Sequence, residues 1–143
     1  MKPTDLVIIE QTFKQPVNVV WNAITKCSEM RLWFFDNILD FKPEVGFKTQ
    51  FNVKAPSRDF LHCWEVVEVV PNHKLVVNWQ FEGLEGVANV TMQVTAQEHK
   101  THFKLIDEIL EPFDTSIPEF KRESSMEGWN YFIKVQLVNY LGS

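Results

Sequence analysis

The side chains able to do acid–base or metal chemistry are few and scattered: His62, His73, His99 and His102, with Cys27, Cys63 and the carboxylates. His73 and His99 fall in turn-like stretches, and His102 alternates with Lys104 and Glu108, so these three are expected in solvent. Only His62 shares a strand with aromatic residues, close to Trp64. A metal needs further nitrogen or carboxylate ligands converging on one point. The spacing offers none, so neither metal nor cofactor is expected. HExxH, GxSxG, CxxC and glycine-rich phosphate motifs are missing from the sequence. Asp107 and Glu108 are strand neighbours and therefore point to opposite faces, as Glu65 and Glu68 do by the same count, so no carboxylate pair is expected. Asp107 alone stands on an otherwise apolar face, with Phe103 and Leu105. Buried, it would need a partner or a raised pKa and would be the candidate for chemistry. The plainer expectation is a strand-end carboxylate in water, and the chain is expected not to be an enzyme.

The unusual feature is aromatic content, 13%, from twelve Phe, five Trp and two Tyr. Trp64, Trp79, Met92 and Phe103 lie on strand-like runs, and Trp129, Ile133 and Leu137 on a helical one. With His62 and Asp107 they are the candidate lining of an apolar ligand cavity. Plain core packing explains the same residues, and composition does not separate the two readings.

The elements that would position these residues follow from periodicity. Leu6–Phe13 is a β-branched run and reads as a strand. Pro16 suits a first helical turn, with Val20, Trp21 and Ile24 as its stripe. Ser28 is placed to cap a second short helix through Trp33. The period then changes to two, giving strands at Phe47–Val53, Asp59–Val70, Leu75–Phe81, Ala88–Ala96 and Thr101–Ile109, joined by short turns. Ser116 and Glu119, with Pro118 between them, form a capping-box pattern. A helix from Pro118 to Tyr140 would run roughly 34 Å. Its apolar stripe (Trp129, Phe132, Ile133, Gln136, Leu137, Tyr140 and Leu141) is too long for one strand to cover. It must lie across the concave face of a curved sheet.

The chain of 143 residues is read as one domain, residues 1–143. With a net charge of −5 and no Lys/Arg cluster, nucleic acid is not an expected partner, and no apolar run is long enough to span a membrane. Met1–Asp5 leads so quickly into a strand that no signal peptide is expected, and the protein is expected in the cytoplasm with both cysteines reduced. Monomer and homodimer both remain open.

The motifs in order are Phe13, Pro16-x-x-x-Val20-Trp21-x-Ala23-Ile24, Met30-x-x-Trp33, and Val45-Gly46-x-x-x-x-Phe51. They continue with Trp64-Glu65-Val66-Val67-Glu68-Val69-x-Pro71-x-x-x-Leu75-x-x-x-Trp79, Val90-Thr91, Thr101-x-x-x-Leu105, and Gly128-Trp129 leading to Tyr140-Leu141. This series resembles the family named for the C-terminal domain of the activator of the ninety-kilodalton heat-shock chaperone's ATPase, within the START-like (SRPBCC) superfamily. The resemblance implies an α+β helix-grip (START-like, Bet v-like) fold: a curved antiparallel sheet of six or seven strands around a long C-terminal helix. Asp107 stands where many relatives carry histidine, so a relative's ligand does not transfer. The resemblance implies a small apolar molecule, lipid-like or aromatic, held between helix and sheet. Ranked below it are a chaperone partner, whose activation in eukaryotic relatives uses an additional N-terminal domain, and a cyclase- or hydrolase-type enzyme relying on Asp107 or His62.

Overall fold

A computed structural model describes residues 6–142, so the reading of Met1–Asp5 lies outside the described residues. The strands are β1 (Leu6–Phe13), β2 (Lys48–Lys54), β3 (Asp59–Val70), β4 (Lys74–Phe81), β5 (Val87–Gln97) and β6 (Lys100–Glu111). They form one antiparallel sheet in the order β1-β6-β5-β4-β3-β2. Two short helices, α1 (Val17–Thr25) and α2 (Cys27–Trp33), follow β1, and a helix over 122–141 closes the chain. The helix-grip architecture is therefore the observed one, with six strands.

Local signals decide the helix starts, and two differ from the sequence reading. The Pro16 carbonyl accepts from the Val19 and Val20 amides, which places Pro16 at the cap of α1 rather than in its first turn. Lys26 ends α1 and begins α2, its amide donating to Asn22 and its carbonyl accepting from Glu29 and Met30. Ser28 thus lies inside the first turn of α2 and caps nothing. The Ser116–Glu119 capping box does not form either. Ser116 donates through its amide and hydroxyl to Asp114, and Glu119 accepts from Ser57. With both capping groups engaged elsewhere, Pro118–Phe120 makes a lone 3₁₀ turn and the helix begins at Arg122.

The long helix is α-helical over α3 (Arg122–Asn130), π-helical over Tyr131–Leu137, and α-helical again over α4 (Val138–Leu141). Bonding to the fifth residue widens the turn, which keeps Trp129, Ile133 and Leu137, spaced by four, on one buried line. Phe132, Tyr140 and Leu141 are half-buried beside it. Cations fasten the helix to the edge strand: Lys134 Nζ donates to the Glu10 carbonyl at 2.7 Å, and Arg122 donates to that of Leu6. Tyr140 bonds Glu29 at 2.9 Å and so ties the helix end to α2.

Pairing places side chains in rows across the inner face. One row is Val7, Asp107, Val90, Val77 and Val66; the next is Ile109, Ala88, Trp79 and Trp64. A bulge at Val67 shifts the register of β3. It puts Glu65 and Glu68 opposite Asn78 and Val76, on the same outer face, rather than on opposite faces as the simple count required. Glu68 there pairs with Lys74 at 3.3 Å.

Candidate functional site

Between the helix and the sheet lies a cavity of about 400 Å³. Two small residues account for the space. Ala88 stands in the row between Trp79 and Ile109, and Gly128 faces the same space from α3, where an added Cβ would touch nothing within 4 Å. Phe35, Trp79, Trp129 and Phe132 make one wall. Phe60, Phe81, Phe113 and Phe120 close the far end, with ring centroids 5.0 to 5.9 Å apart. Gly86 (φ +115°) lets the Phe113 ring sit against the backbone, since a Cβ there would be 2.1 Å from its Cδ1. The rim is tied by Ser57, whose amide and hydroxyl donate to Glu119 at 3.1 and 2.6 Å.

Two titratable side chains enter this apolar space. Asp107 is not a strand-end carboxylate in water. β6 runs on to Glu111 and is flanked by β1 and β5, so Asp107 sits inside the sheet in a row of valines. Its Oδ2 accepts from Trp129 Nε1 at 3.0 Å, while Oδ1 is buried without a partner among the described residues. Burial raises its pKa, and the Trp129 bond only partly opposes this. His62 is buried with its ring stacked on Phe51 at 5.0 Å and edge-on to Phe81 at 4.7 Å. Its Nδ1 lies 3.1 Å from the Phe60 carbonyl, so Nδ1 carries the proton and Nε2 is an acceptor. Burial lowers its pKa from 6.5 to about 4, against the opposing Phe60 bond. Strands β3 and β6 are three spacings apart, roughly 14 Å along the sheet, so the two groups form no acid–base pair.

Of the residues expected to line a cavity, His62, Trp79, Asp107 and Trp129 surround this one. Trp64, Met92, Phe103, Ile133 and Leu137 are instead core: each is at most 6% exposed, and none borders it. Trp64 and Met92 border a gap of about 10 Å³ within the core. The indole N–H of Trp64 is also buried without an acceptor among the described residues. Phe60 and Phe81 were accessible to sequence reasoning, since they share strand parity with His62 and Trp79. Phe113 and Phe120 were not, because Phe113 follows the last expected strand and Phe120, within the expected helix, is off its apolar stripe.

The remaining histidines sit apart. His73 and His99 are exposed in turns, whereas His102 is half-buried and meets Glu10 at 2.9 Å. Both cysteines are free and half-buried, and burial raises their pKa values. Among the described residues, no three His, Cys, Asp or Glu side chains converge as a metal site. No helix of the described residues is long and apolar enough to cross a membrane.

Comparison with known proteins places this geometry. No curated protein sequence matches the chain. Protein CV1439 from Chromobacterium violaceum superposes with a TM-score of 0.81 at 16% identity, covering 97% of this chain and 98% of that one. An HSP90 activator from Plasmodium falciparum, PFC0360w, gives 0.74 at 21%, covering 96% of each chain. DynU16, a protein of the dynemicin biosynthetic locus, gives 0.78 at 23% over 99% of this chain, which spans only 48% of DynU16. At these identities the likeness is one of fold. The family model described as activator of Hsp90 ATPase homolog 1-like protein matches residues 14–142, which take in five of the six strands and the long helix, and the chain belongs to that family.

Proposed function

We propose that this domain is a cytoplasmic binding protein for a small, mainly apolar molecule held between the long helix and the sheet, and not an enzyme. The observation that carries the reading is the cavity of about 400 Å³, walled by aromatic rings and bordered by Asp107, whose buried Oδ1 has no partner among the described residues. Ligand sites commonly measure about 300–1,000 Å³, apolar with a few placed polar groups. The small side chains at 88 and 128 keep the space from closing into ordinary core. Binding is favoured over catalysis because His62 and Asp107 stand on strands too far apart to share a proton.

The test is native mass spectrometry of the protein purified from its own host, followed by mild denaturation. A recurrent released small molecule supports the reading. Gly128→Leu, which fills the space without a backbone clash, should abolish that adduct while leaving the protein folded. A clean unliganded mass, with no thermal shift across an apolar compound library, rejects it.

A second reading is favoured by the family description and by the Plasmodium falciparum activator: a domain that docks on a heat-shock chaperone and stimulates its ATPase. That activity would depend on the domain's surface. Stimulated ATP hydrolysis unchanged by Gly128→Leu would support it, and no stimulation at all would remove it.

A further inference from the structure

The polar groups of the cavity are nearly all of one kind. Asp107 Oδ1 is an acceptor site without a partner among the described residues, and the Trp129 indole N–H beside it is already committed to Oδ2. His62 spends its proton on the Phe60 carbonyl, which leaves Nε2 a lone-pair acceptor. Glu119, at the rim, adds a second carboxylate, and Ser125 supplies a hydroxyl that can donate or accept. Among the described residues, no Lys or Arg side chain lines the space. A buried acceptor without a donor carries its full desolvation cost until something donates to it. A buried anion without a counter-cation is disfavoured more strongly still.

Resting on the binding function proposed above, we infer that the cavity selects an apolar ligand with a non-anionic, hydrogen-bond-donating head group, a hydroxyl or an ammonium, which meets Asp107 Oδ1, and that it rejects carboxylates. The hydroxyl and the ammonium share the needed chemistry, an O–H or N–H presented to a carboxyl oxygen. The hydroxyl suits either protonation state of Asp107, since it donates to the carboxylate and accepts from the acid. The ammonium forms an ion pair with the carboxylate, and its cationic face can rest on the rings of Trp79 and Trp129, whose centroids are 5.4 Å apart. A fatty acid or aromatic acid finds no cation to offset its buried charge. The aromatic walls set the body of the ligand, and Asp107 sets its head.

The experiment is isothermal titration calorimetry at neutral pH with probes sharing one naphthalene body: naphthylmethanol, naphthylmethylamine, naphthoic acid and methylnaphthalene. The alcohol, the amine or both should bind at least about tenfold more tightly than the hydrocarbon, from satisfying a buried acceptor. The acid should bind more weakly than either. Which of the two donors binds tighter identifies the head as neutral or cationic. Asp107→Asn keeps the shape and can still accept from Trp129, but it turns an amide N–H₂ toward the cavity. It should weaken the amine at least about tenfold and strengthen the acid. The inference is overturned if the acid or the hydrocarbon binds wild type as tightly as the donors, or if Asp107→Asn leaves the ranking unchanged. Should that variant fail to fold, the wild-type ranking alone decides. Equal binding of all four probes refutes the head-group selection while sparing the binding function, whereas binding of none refutes both.

Discussion

Acidification should destabilise this protein through His62 before most carboxylates titrate. In the folded state burial holds the His62 pKa at about 4, against 6.5 for an unperturbed imidazole. Above pH 6.5 both folded and unfolded chains carry a neutral ring, and the stability is fully present. Between 6.5 and about 4 the unfolded chain takes a proton that the folded chain refuses, so stability falls as pH falls. Each pH unit is worth about 1.4 kcal/mol, so the full window removes about 3 kcal/mol. That is a large part of the 5–15 kcal/mol typical of a domain. Asp107 acts with the opposite sign. Its raised folded pKa means that the folded state takes the proton first, which relieves strain as pH falls toward its unfolded value. The two are separated by comparing wild type with His62→Phe, a ring of similar size set among Phe51, Phe81 and Trp79. Loss of the bond to the Phe60 carbonyl gives a constant offset. The pH-dependent difference between the two proteins belongs to His62 alone. Urea unfolding followed by tryptophan fluorescence, from above pH 7 down to about 4.5, should give a difference that is flat at neutral pH and then slopes by about 1.4 kcal/mol per unit. Parallel stability curves for the two proteins, or an NMR titration of the His62 ring with a midpoint near 6.5, would refute the reasoning.

Other perturbations separate core from cavity. Trp129→Phe keeps a ring but removes the N–H bonded to Asp107, stranding both carboxyl oxygens; unfolding should show a loss of about 1–3 kcal/mol and a still higher Asp107 pKa. Leu137→Ala, in fully buried core away from the cavity, should cost about 2–5 kcal/mol by urea titration without altering the preference among ligands. Gly86→Ala combines a positive φ with a Cβ 2.1 Å from Phe113; it should lose about 1–3 kcal/mol in calorimetry and expose the phenylalanine end of the cavity to solvent.

The strands were legible because their alternation survives wherever pairing is regular. β1 and β3 have the bounds that periodicity predicts, and the others differ by a few residues at their ends. The failures share a cause. A bulge, a cap and a strand's continuation each depend on a partner distant in the chain. Val67 is extra only because β4 pairs around it, so the faces of Glu65 and Glu68 could not be counted correctly from β3 alone. Ser116 and Glu119 have the spacing of a capping box, yet Ser57, from the turn between β2 and β3, captures the glutamate. Lys26 serves two helices at once, which leaves Ser28 no cap to make.

Asp107 carries the same lesson to the site. Its parity with Phe103 and Leu105 already put it on the inner face; the error lay in treating that point of β6 as an end. Only the pairing with β1 and β5, and the approach of Trp129 from the helix, make it an interior residue. The split between core and cavity is decided in a similar way. Trp79 and Trp64 are neighbours in one row, yet Trp79 borders the space and Trp64 is packed away. What separates them is the alanine beside Trp79 and the glycine across from it, two absent side chains that no aromatic count reveals. A carboxyl oxygen left without a donor in that space has a physical consequence: the free energy withheld on folding becomes available on binding, to whichever molecule brings the missing hydrogen bond.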